Sequence, residues 1–454
     1  MIKVNMLSGS IVKGLLTISL PIMVMNVLQS LFNIIDMTVL KNFVPGGDYV
    51  AGAVGACGTL ISLITGLVIG VSTGANVVIA RYIGAKDKER VERAVGCAVA
   101  FSFVGGLGLL VVGNVFARVF LQWMNCDEKL IDDAVLYFRL YFAGVPILMI
   151  YNFCASILRS TGNSVFPMIF LTFGGVLKVL FSFLFVAGFH MTVEGVAFAT
   201  IISWTVSAAL AFITLLDKKN IARINIRKIR FYKQELKEML TIGVPAGLQQ
   251  ALYSIANVII ASTVNKFGPD ATTGIGIANN FDGILYQISI APSLAVMPYV
   301  SQNIGNKNVK RARQAISRGM LITVILGATF GSLSAIFSAQ LSSIMSDIPA
   351  VIAFSQQKMM IISSTYFICG INEIMGAAMR GMGKPLIPTI STLIFMCAFR
   401  FFWVYLIFPL APNLTFLYLV WPIGWVLSII TITVFYIPTY INLKRKFPTP
   451  IAEA

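Results

Sequence analysis

Charged residues are scarce in this chain of 454 residues. Asp, Glu, Lys and Arg make up 11% of the sequence and hydrophobic residues 57%, whereas a soluble globular domain carries about 25% charged residues. A soluble fold cannot hide so much apolar surface, because its surface grows with its volume. Many apolar runs exceed about 18 residues, the length of a helix that crosses a bilayer. The sequence therefore predicts an integral membrane protein embedded in a lipid bilayer.

Histidine is nearly absent, and closely spaced cysteine pairs and enzyme motifs are missing. His190 is the only histidine, and the six cysteines form no Cys-x-x-Cys pair. We expect these cysteines to be small buried hydrophobes and not metal ligands or disulfides. The chain has no Walker A sequence, no nucleophile elbow and no His-Glu-x-x-His motif. The sequence predicts a protein that is not an enzyme, binds no metal and uses no ATP.

Acidic residues are too few to balance the basic ones, and the net charge is +16. Nucleic-acid binding is excluded, because stacking and base-reading motifs are missing and the cations lie in short loops between apolar runs. If the N-terminus is cytoplasmic, most of the 34 basic residues fall on that side. This asymmetry predicts two cytoplasmic termini and an even number of spans. The basic residues predicted on the opposite face of the membrane are Lys41, Arg118, Lys129, Lys266 and Lys358.

Twelve apolar spans are predicted. Their approximate limits are 14–40, 51–80, 94–116, 131–157, 166–188, 193–216, 239–265, 272–302, 316–345, 352–379, 386–408 and 415–440. Short motifs recur in the same order at a nearly constant offset, which indicates an internal duplication. Residues 17–21 (TISLP) recur as 241–245 (TIGVP), 83–86 (IGAK) as 304–307 (IGNK), and 158–162 (LRSTG) as 379–383 (MRGMG).

Each repeat holds six spans, so the chain returns to its starting side and the halves are parallel. The sequence predicts an N-lobe at 1–216, a basic amphipathic connector at 217–238 on the cytoplasmic surface, and a C-lobe at 239–454. Two similar lobes can rock about a cavity that opens to each side in turn, which is alternating access. A channel is disfavoured, because pore-ring and filter motifs are missing.

Charged residues inside apolar spans are costly and usually face a cavity or a partner. Five such residues are Asp36, Lys178, Asp282, Glu373 and Arg400. We predict two ion pairs, Asp36–Lys178 and Glu373–Arg400, and a wetter position for Asp282 near the outer half of its span. Desolvation and a nearby cation shift a carboxyl pKa in opposite directions, which can bring its titration within reach of a proton gradient. A static pair that fixes helix packing is the alternative.

Polar residues in the first span of each lobe are candidates to line the cavity, although hydrogen bonding between helices explains them equally well. They include Asn33, Gln249, Gln250 and Asn257. Gly66, Gly70 and Gly74 form two overlapping GxxxG steps in the second span, which is typical of close helix packing.

Essentially the whole chain resembles the multidrug and toxic compound extrusion (MATE) transporters. The resemblance rests on residues 20–21 (LP), 80–86 (ARYIGAK), 158–163 (LRSTGN), 195–200 (GVAFAT) and 379–384 (MRGMGK). It implies twelve helices in two bundles, and export of small organic, often cationic compounds coupled to inward movement of protons or sodium.

In one branch of this family the ion site uses an aspartate on the first helix, an asparagine and an aspartate on the fifth, and a threonine on the sixth. Asp36 and Thr200 match the first and last, but Lys178 and Ser182 occupy the fifth-helix positions. An ammonium group there repels Na⁺, so protons are favoured over sodium as the coupling ion. Another branch places carboxylates on helices 7 and 10. Glu373 matches the latter, whereas helix 7 carries Gln249 and Gln250.

These observations favour a monomeric secondary antiporter of the plasma membrane that exports cationic or amphiphilic compounds, that is, a multidrug efflux protein. Two alternatives stay open. One is a flippase for a lipid-linked sugar or another amphiphile, which would need a strongly cationic cavity. The other is a receptor or scaffold that transports nothing.

Overall fold

Helices of membrane length make up most of this computed structural model. It describes residues 4–44, 47–123 and 131–448. At residues 33, 34, 37, 47–53, 55, 56, 59, 254, 255 and 258 the description covers the backbone alone. Cys126 and Lys129 lie outside the described residues.

The first repeat folds into six long helices. Their bounds are α1 Ile11–Phe43, α2 Gly47–Gly84, α3 Lys88–Trp123, α4 Ile131–Ser160, α5 Val165–Phe183 and α6 Val193–Leu216. A π-helical turn, Leu184–Gly188, extends α5, and a 3₁₀ turn, Ile226–Lys228, lies in the connector.

The second repeat begins with three long helices and then breaks its later spans into shorter pieces. Their bounds are α7 Lys233–Val264, α8 Pro269–Gly305, α9 Val309–Ile336, α10 Ser338–Ser343, α11 Pro349–Ile362, α12 Tyr366–Gly381, α13 Leu386–Thr392, α14 Phe399–Phe402, α15 Leu414–Tyr418 and α16 Val420–Lys446. The turns between these pieces are Asn265–Phe267, Ser363–Thr365 and Phe408–Leu410 (3₁₀) and Leu393–Ala398 and Trp403–Ile407 (π).

Eleven helical stretches of the described residues are long and apolar enough to cross a membrane. The pieces α11–α12, α13–α14 and α15–α16 each form one such stretch. Helix α7 has 32 residues, more than the ~20 that a bilayer requires, and completes the set of twelve. The predicted all-α membrane fold with twelve spans is therefore confirmed.

Contacts within the chain define two compact units. One comprises Met1–Val4 and Val24–Val244, and the other Asn5–Met23 and Pro245–Ala454. Both boundaries run through a helix, α1 and α7, close to the repeated prolines Pro21 and Pro245. A proline inside a helix removes a backbone hydrogen bond and bends the chain. The predicted connector 217–238 falls within the first unit.

Within the second unit, the segment ahead of α1 is held by hydrogen bonds to its backbone carbonyl groups. Asn303 Nδ2 donates to the Met6 carbonyl oxygen at 3.1 Å. Arg311 donates from Nε to the same oxygen at 3.0 Å, and from Nη2 to the carbonyl oxygens of Ser8 and Gly9 at 2.7 and 2.9 Å. One arginine thus satisfies three carbonyl groups ahead of α1.

The repeated motifs adopt the same backbone conformation in both repeats. Lys86 follows α2 with φ of 58°, and Lys307 follows α8 with φ of 60°. Both lie in the left-handed region, which commonly closes the C-terminus of a helix. Gly162 after α4 and Gly383 after α12 have φ values of 86° and 80°. The sequence duplication is therefore matched by a duplicated set of helix ends.

Helix α2 packs backbone to backbone against the first turns of α7 in the first unit. A Cβ added at Gly74 would lie 2.1 Å from the Met239 carbonyl oxygen and 2.9 Å from the Gly243 nitrogen. One added at Gly243 would lie 2.5 Å from the Val71 carbonyl oxygen. No side chain fits at either position, which confirms the close packing predicted for Gly74.

Replacing Gly74 by alanine should lower the thermal unfolding midpoint of the purified protein. The new methyl group must push two backbones apart, a kind of overpacking that costs about 1–3 kcal/mol. Gly108→Ala in α3 is the matched control, because a Cβ there meets no atom within 4 Å. Equal Tm values for the two variants, measured in the same detergent, would contradict the close packing of α2 on α7.

Candidate functional site

A buried carboxylate on α1 meets two side chains of α5 in the first unit. The Oδ2 atom of Asp36 lies 2.5 Å from the Nζ atom of Lys178. The Oδ1 atom accepts a hydrogen bond of 3.1 Å from the Ser182 hydroxyl. Lys178 and Ser182 are four residues apart, so they share one face of α5. The contact between Asp36 and Lys178 that the sequence predicts is present, and Ser182 completes it.

Close packing of α5 on α1 lies beside this contact. A Cβ added at Gly175, one turn before Lys178, would lie 1.9 Å from the Phe32 ring. The Phe32 ring therefore occupies the space that a side chain at position 175 would take. Asp36 and Ser182 are 6% and 0% exposed, so the charge of Asp36 is balanced by Lys178 more than by solvent.

Two other residues predicted for this site make no described contact with Asp36. The Thr200 hydroxyl donates to the Val196 carbonyl oxygen at 2.9 Å within α6, a common arrangement for threonine inside helices. Asn33 lies on α1, three residues before Asp36, and its side chain is outside the described ones. Of the first-unit candidates, Asp36, Lys178 and Ser182 come together.

The predicted pair of Glu373 with Arg400 is wrong, because no ion pair joins them among the described residues. Arg400 on α14 is fully buried, and its Nη1 atom donates to Asn257 Oδ1 at 2.6 Å. The guanidinium group lies 5.1 Å from the ring centres of both Tyr253 and Trp421. An amide and two aromatic rings, and not a carboxylate, therefore surround Arg400.

Glu373 on α12 is buried and interacts electrostatically with Arg380, two turns later on the same helix. The Arg380 Nη1 atom also donates to Gln249 Oε1 on α7 at 3.0 Å. The repeat places a cation on the fifth span of each lobe, and this symmetry predicts the wrong partner for Glu373. The two acids are not at equivalent positions of the repeat, since Asp36 lies on the first span and Glu373 on the tenth.

A second buried ion pair joins Asp282 on α8 to Lys358 on α11, with Oδ2 and Nζ 2.8 Å apart. The Lys358 ammonium also donates to Asn279 Oδ1, one turn before Asp282. Asp282 is 8% exposed and Lys358 3%. The predicted wet position of Asp282 is therefore wrong. The sequence places Lys358 on the face opposite the cytoplasm without predicting its burial in this pair. Lys358 lies inside the predicted span 352–379, and that position was the signal of its burial.

The Asp282–Lys358 pair lines a cavity of about 400 Å³ within the second unit. Three of the predicted cavity residues also line it, namely Gln250, Asn257 and Asp282. Gln249 does not, since its side chain is bonded to Arg380. Much of the remaining wall is aromatic, formed by Tyr253, Tyr286, Tyr366, Tyr418, Trp421 and Trp425.

Removing one member of the Asp36–Lys178 pair should destabilise the protein more than removing both charges. Lys178→Met leaves a buried carboxylate without its cation, which costs about 3–5 kcal/mol when the charge persists. The double variant with Asp36→Asn should recover most of that loss, measured as Tm at neutral pH. Lys219→Met, at an exposed loop residue, is the control. Strictly additive effects of the two single changes would contradict a direct ion pair.

Comparison with known proteins places both repeats in one family. The MatE family model matches residues 21–184 and 245–406. The "Probable multidrug resistance protein YoeA" of Bacillus subtilis (strain 168) is 28% identical over 381 residues, which cover 82% of each chain. The "Probable multidrug resistance protein YpnP" of the same organism is 26% identical over 393 residues, which cover 87% of each chain.

A solved structure with the same fold is the outward-facing conformation of a multidrug resistance MATE family transporter of the MOP superfamily. It superposes with a TM-score of 0.89 at 20% identity, over 98% of this chain and 99% of that one. The family matches cover most of both halves, and the twelve spans agree with the shared fold. The chain is a multi-pass membrane transporter, and it belongs to the MatE family.

Proposed function

We propose that this transporter is a secondary antiporter of the plasma membrane. It exports organic, cationic or amphiphilic compounds by alternating access and takes up protons in exchange. The observation that carries this proposal is the buried contact of Asp36 with Lys178 and Ser182. We also propose that both termini are cytoplasmic and that the protein is monomeric, as the basic loops and the resemblance lead us to expect.

A proton can switch the Asp36–Lys178 contact between two states. Protonation removes the carboxylate charge that the Lys178 ammonium contacts at 2.5 Å. A buried cation that loses this counter-charge is less stable where it is, so α1 and α5 rearrange or let water reach Lys178. Such a bistable contact couples a small charge change to a movement of helices.

Sodium fits the same contact poorly. The Lys178 ammonium lies 2.5 Å from Asp36 Oδ2, the position that a bound cation would take. Na⁺ would have to displace this ammonium or share the carboxylate with it, and repulsion between the two cations opposes both. A proton adds to the carboxyl oxygen itself and needs no separate site. This difference supports protons as the coupling ion.

Two further observations support export of organic compounds. The relatives YoeA and YpnP are both described as probable multidrug resistance proteins. The sequence has no Walker A motif, which supports an ion gradient as the energy source. The flippase alternative is less well supported. Two of the buried cations, Lys178 and Lys358, are each neutralised by an aspartate.

Proteoliposomes with an acidic interior should accumulate a cationic dye such as ethidium, because protons that leave drive the dye inward. Asp36→Asn removes the carboxyl group that accepts the proton in this proposal and should reduce pH-driven uptake at least tenfold, measured by fluorescence quenching. Asp347→Asn, at an exposed acid, should leave the rate unchanged. Equal uptake with and without the pH gradient, together with uptake driven by a sodium gradient, would overturn proton coupling.

Lys178→Asn is the finer test of ion choice. An amide in place of the ammonium removes the repulsion of Na⁺ and leaves Asp36 with a neutral ligand beside it. We expect this variant to lose pH-driven dye uptake and to gain sensitivity to sodium. A variant that transports like the wild-type protein in both gradients would show that Lys178 does not determine the coupling ion.

A further inference from the structure

Directly behind the wall of the cavity in the second unit lies a buried positive charge that no carboxylate balances among the described residues. Lys358 neutralises Asp282 at 2.8 Å, and Arg380 interacts with Glu373. Arg400 then remains as the cation that has no acidic partner among the described residues. It touches three cavity-lining residues, Asn257, Tyr253 and Trp421.

The guanidinium of Arg400 has unused hydrogen-bonding capacity. Its Nη1 atom donates to Asn257 Oδ1, whereas Nε and Nη2 are buried without a hydrogen-bond partner among the described side chains. The residue is 0% exposed, so bulk water does not screen its charge. An unbalanced cation with free donors in apolar surroundings is unfavourable by itself. An anion bound in the cavity would offset that cost.

A cationic ligand would meet repulsion in the same space. Arg400 already occupies faces of the Tyr253 and Trp421 rings, 5.1 Å from each centre. Lys358 lies 5.9 Å from the centre of the Trp421 ring and holds the Asp282 carboxylate. The Asp282 carboxylate and faces of these two rings, groups that attract cations, are therefore taken by the protein's own side chains.

The rest of the wall suits a flat apolar group. Tyr253 and Tyr286 stack with ring centres 6.3 Å apart and planes at 26°, and Trp421 and Trp425 line the same space. The volume of about 400 Å³ lies at the small end of the range for ligand pockets, about 300–1,000 Å³. An aromatic ring system of modest size is the apolar group that these surfaces recognise best.

We propose that this cavity is a binding site for small aromatic anions, in which a carboxylate or similar acidic group is stabilised by the charge of Arg400. The site lies within the second unit and is separate from the Asp36 contact, so it goes beyond the proposed export of cations. The aromatic wall holds the ring, and the neutral Asp282–Lys358 pair forms one side of the cavity.

The test measures binding of three naphthalene probes of nearly equal size to the purified full chain in detergent. Isothermal titration calorimetry compares 2-naphthoate, neutral 2-naphthamide and cationic 2-naphthylmethylammonium, with protein-free micelles subtracted. We expect 2-naphthoate to bind at least tenfold tighter than the amide, and the ammonium probe to bind most weakly. Equal affinities, or preference for the cation, would overturn the proposal without any variant.

Variants of Arg400 test whether this residue causes the preference for the anion. Arg400→Gln should weaken 2-naphthoate at least tenfold and leave the amide unchanged, whereas Arg400→Lys should keep most of the preference. Arg318→Gln, at an exposed cation of the same unit, controls for net charge. Unchanged binding of 2-naphthoate to Arg400→Gln would overturn the assignment.

The comparison of the three probes on the unaltered protein decides the question if Arg400→Gln does not fold, because it needs no variant. Asp36→Asn lies in the first unit and should not affect 2-naphthoate binding, so failure of proton coupling and failure of this site are distinguishable.

Discussion

A charge inside an apolar span must find a counter-charge, a hydrogen bond or an aromatic face, because hydrocarbon cannot solvate it. This constraint explains which partners the buried charges have in both units. Asp36 is held by Lys178 and Ser182. Asp282 is held by Lys358. Arg400 has no carboxylate partner among the described residues. Its guanidinium group contacts an amide and two aromatic rings instead. Helix packing supports the first of these arrangements, since Gly175 leaves the space for Phe32 beside the Asp36–Lys178 pair.

Much of the fold follows from simple rules applied to the sequence. The number of spans could be predicted from the long apolar runs, because bilayer thickness sets a minimum helix length. The repeated motifs around Lys86 and Lys307 predicted duplicated structure, and both residues have the same left-handed backbone. The breaks within the later spans were not predictable. The π turns that flank α14 and the 3₁₀ turn between α11 and α12 interrupt runs whose hydrophobic pattern is continuous.

The candidate site was predictable only where a charge had one plausible partner. Asp36 and Lys178 lie on spans of the same lobe that carry no other buried charge, so their contact could be inferred. The second unit offers Lys358, Arg380 and Arg400 to Asp282 and Glu373, and sequence alone does not rank the possible combinations. Helix rotation and distance determine the outcome. Asp282 faces Lys358 on α11, and Glu373 faces the arginine two turns along its own helix.

The exchange of helix segments between the units affects the order in which the chain can fold during synthesis. Residues Asn5–Met23 are made first, yet they belong to the unit that otherwise begins at Pro245. Their hydrogen bonds to Asn303 and Arg311 form only after helices α2 to α8 have been synthesised. The first unit likewise is not complete until the first turns of α7 have been synthesised. Neither repeat therefore contains all the segments of one unit, and a chain divided between the repeats would leave each fragment without a segment that belongs to its unit.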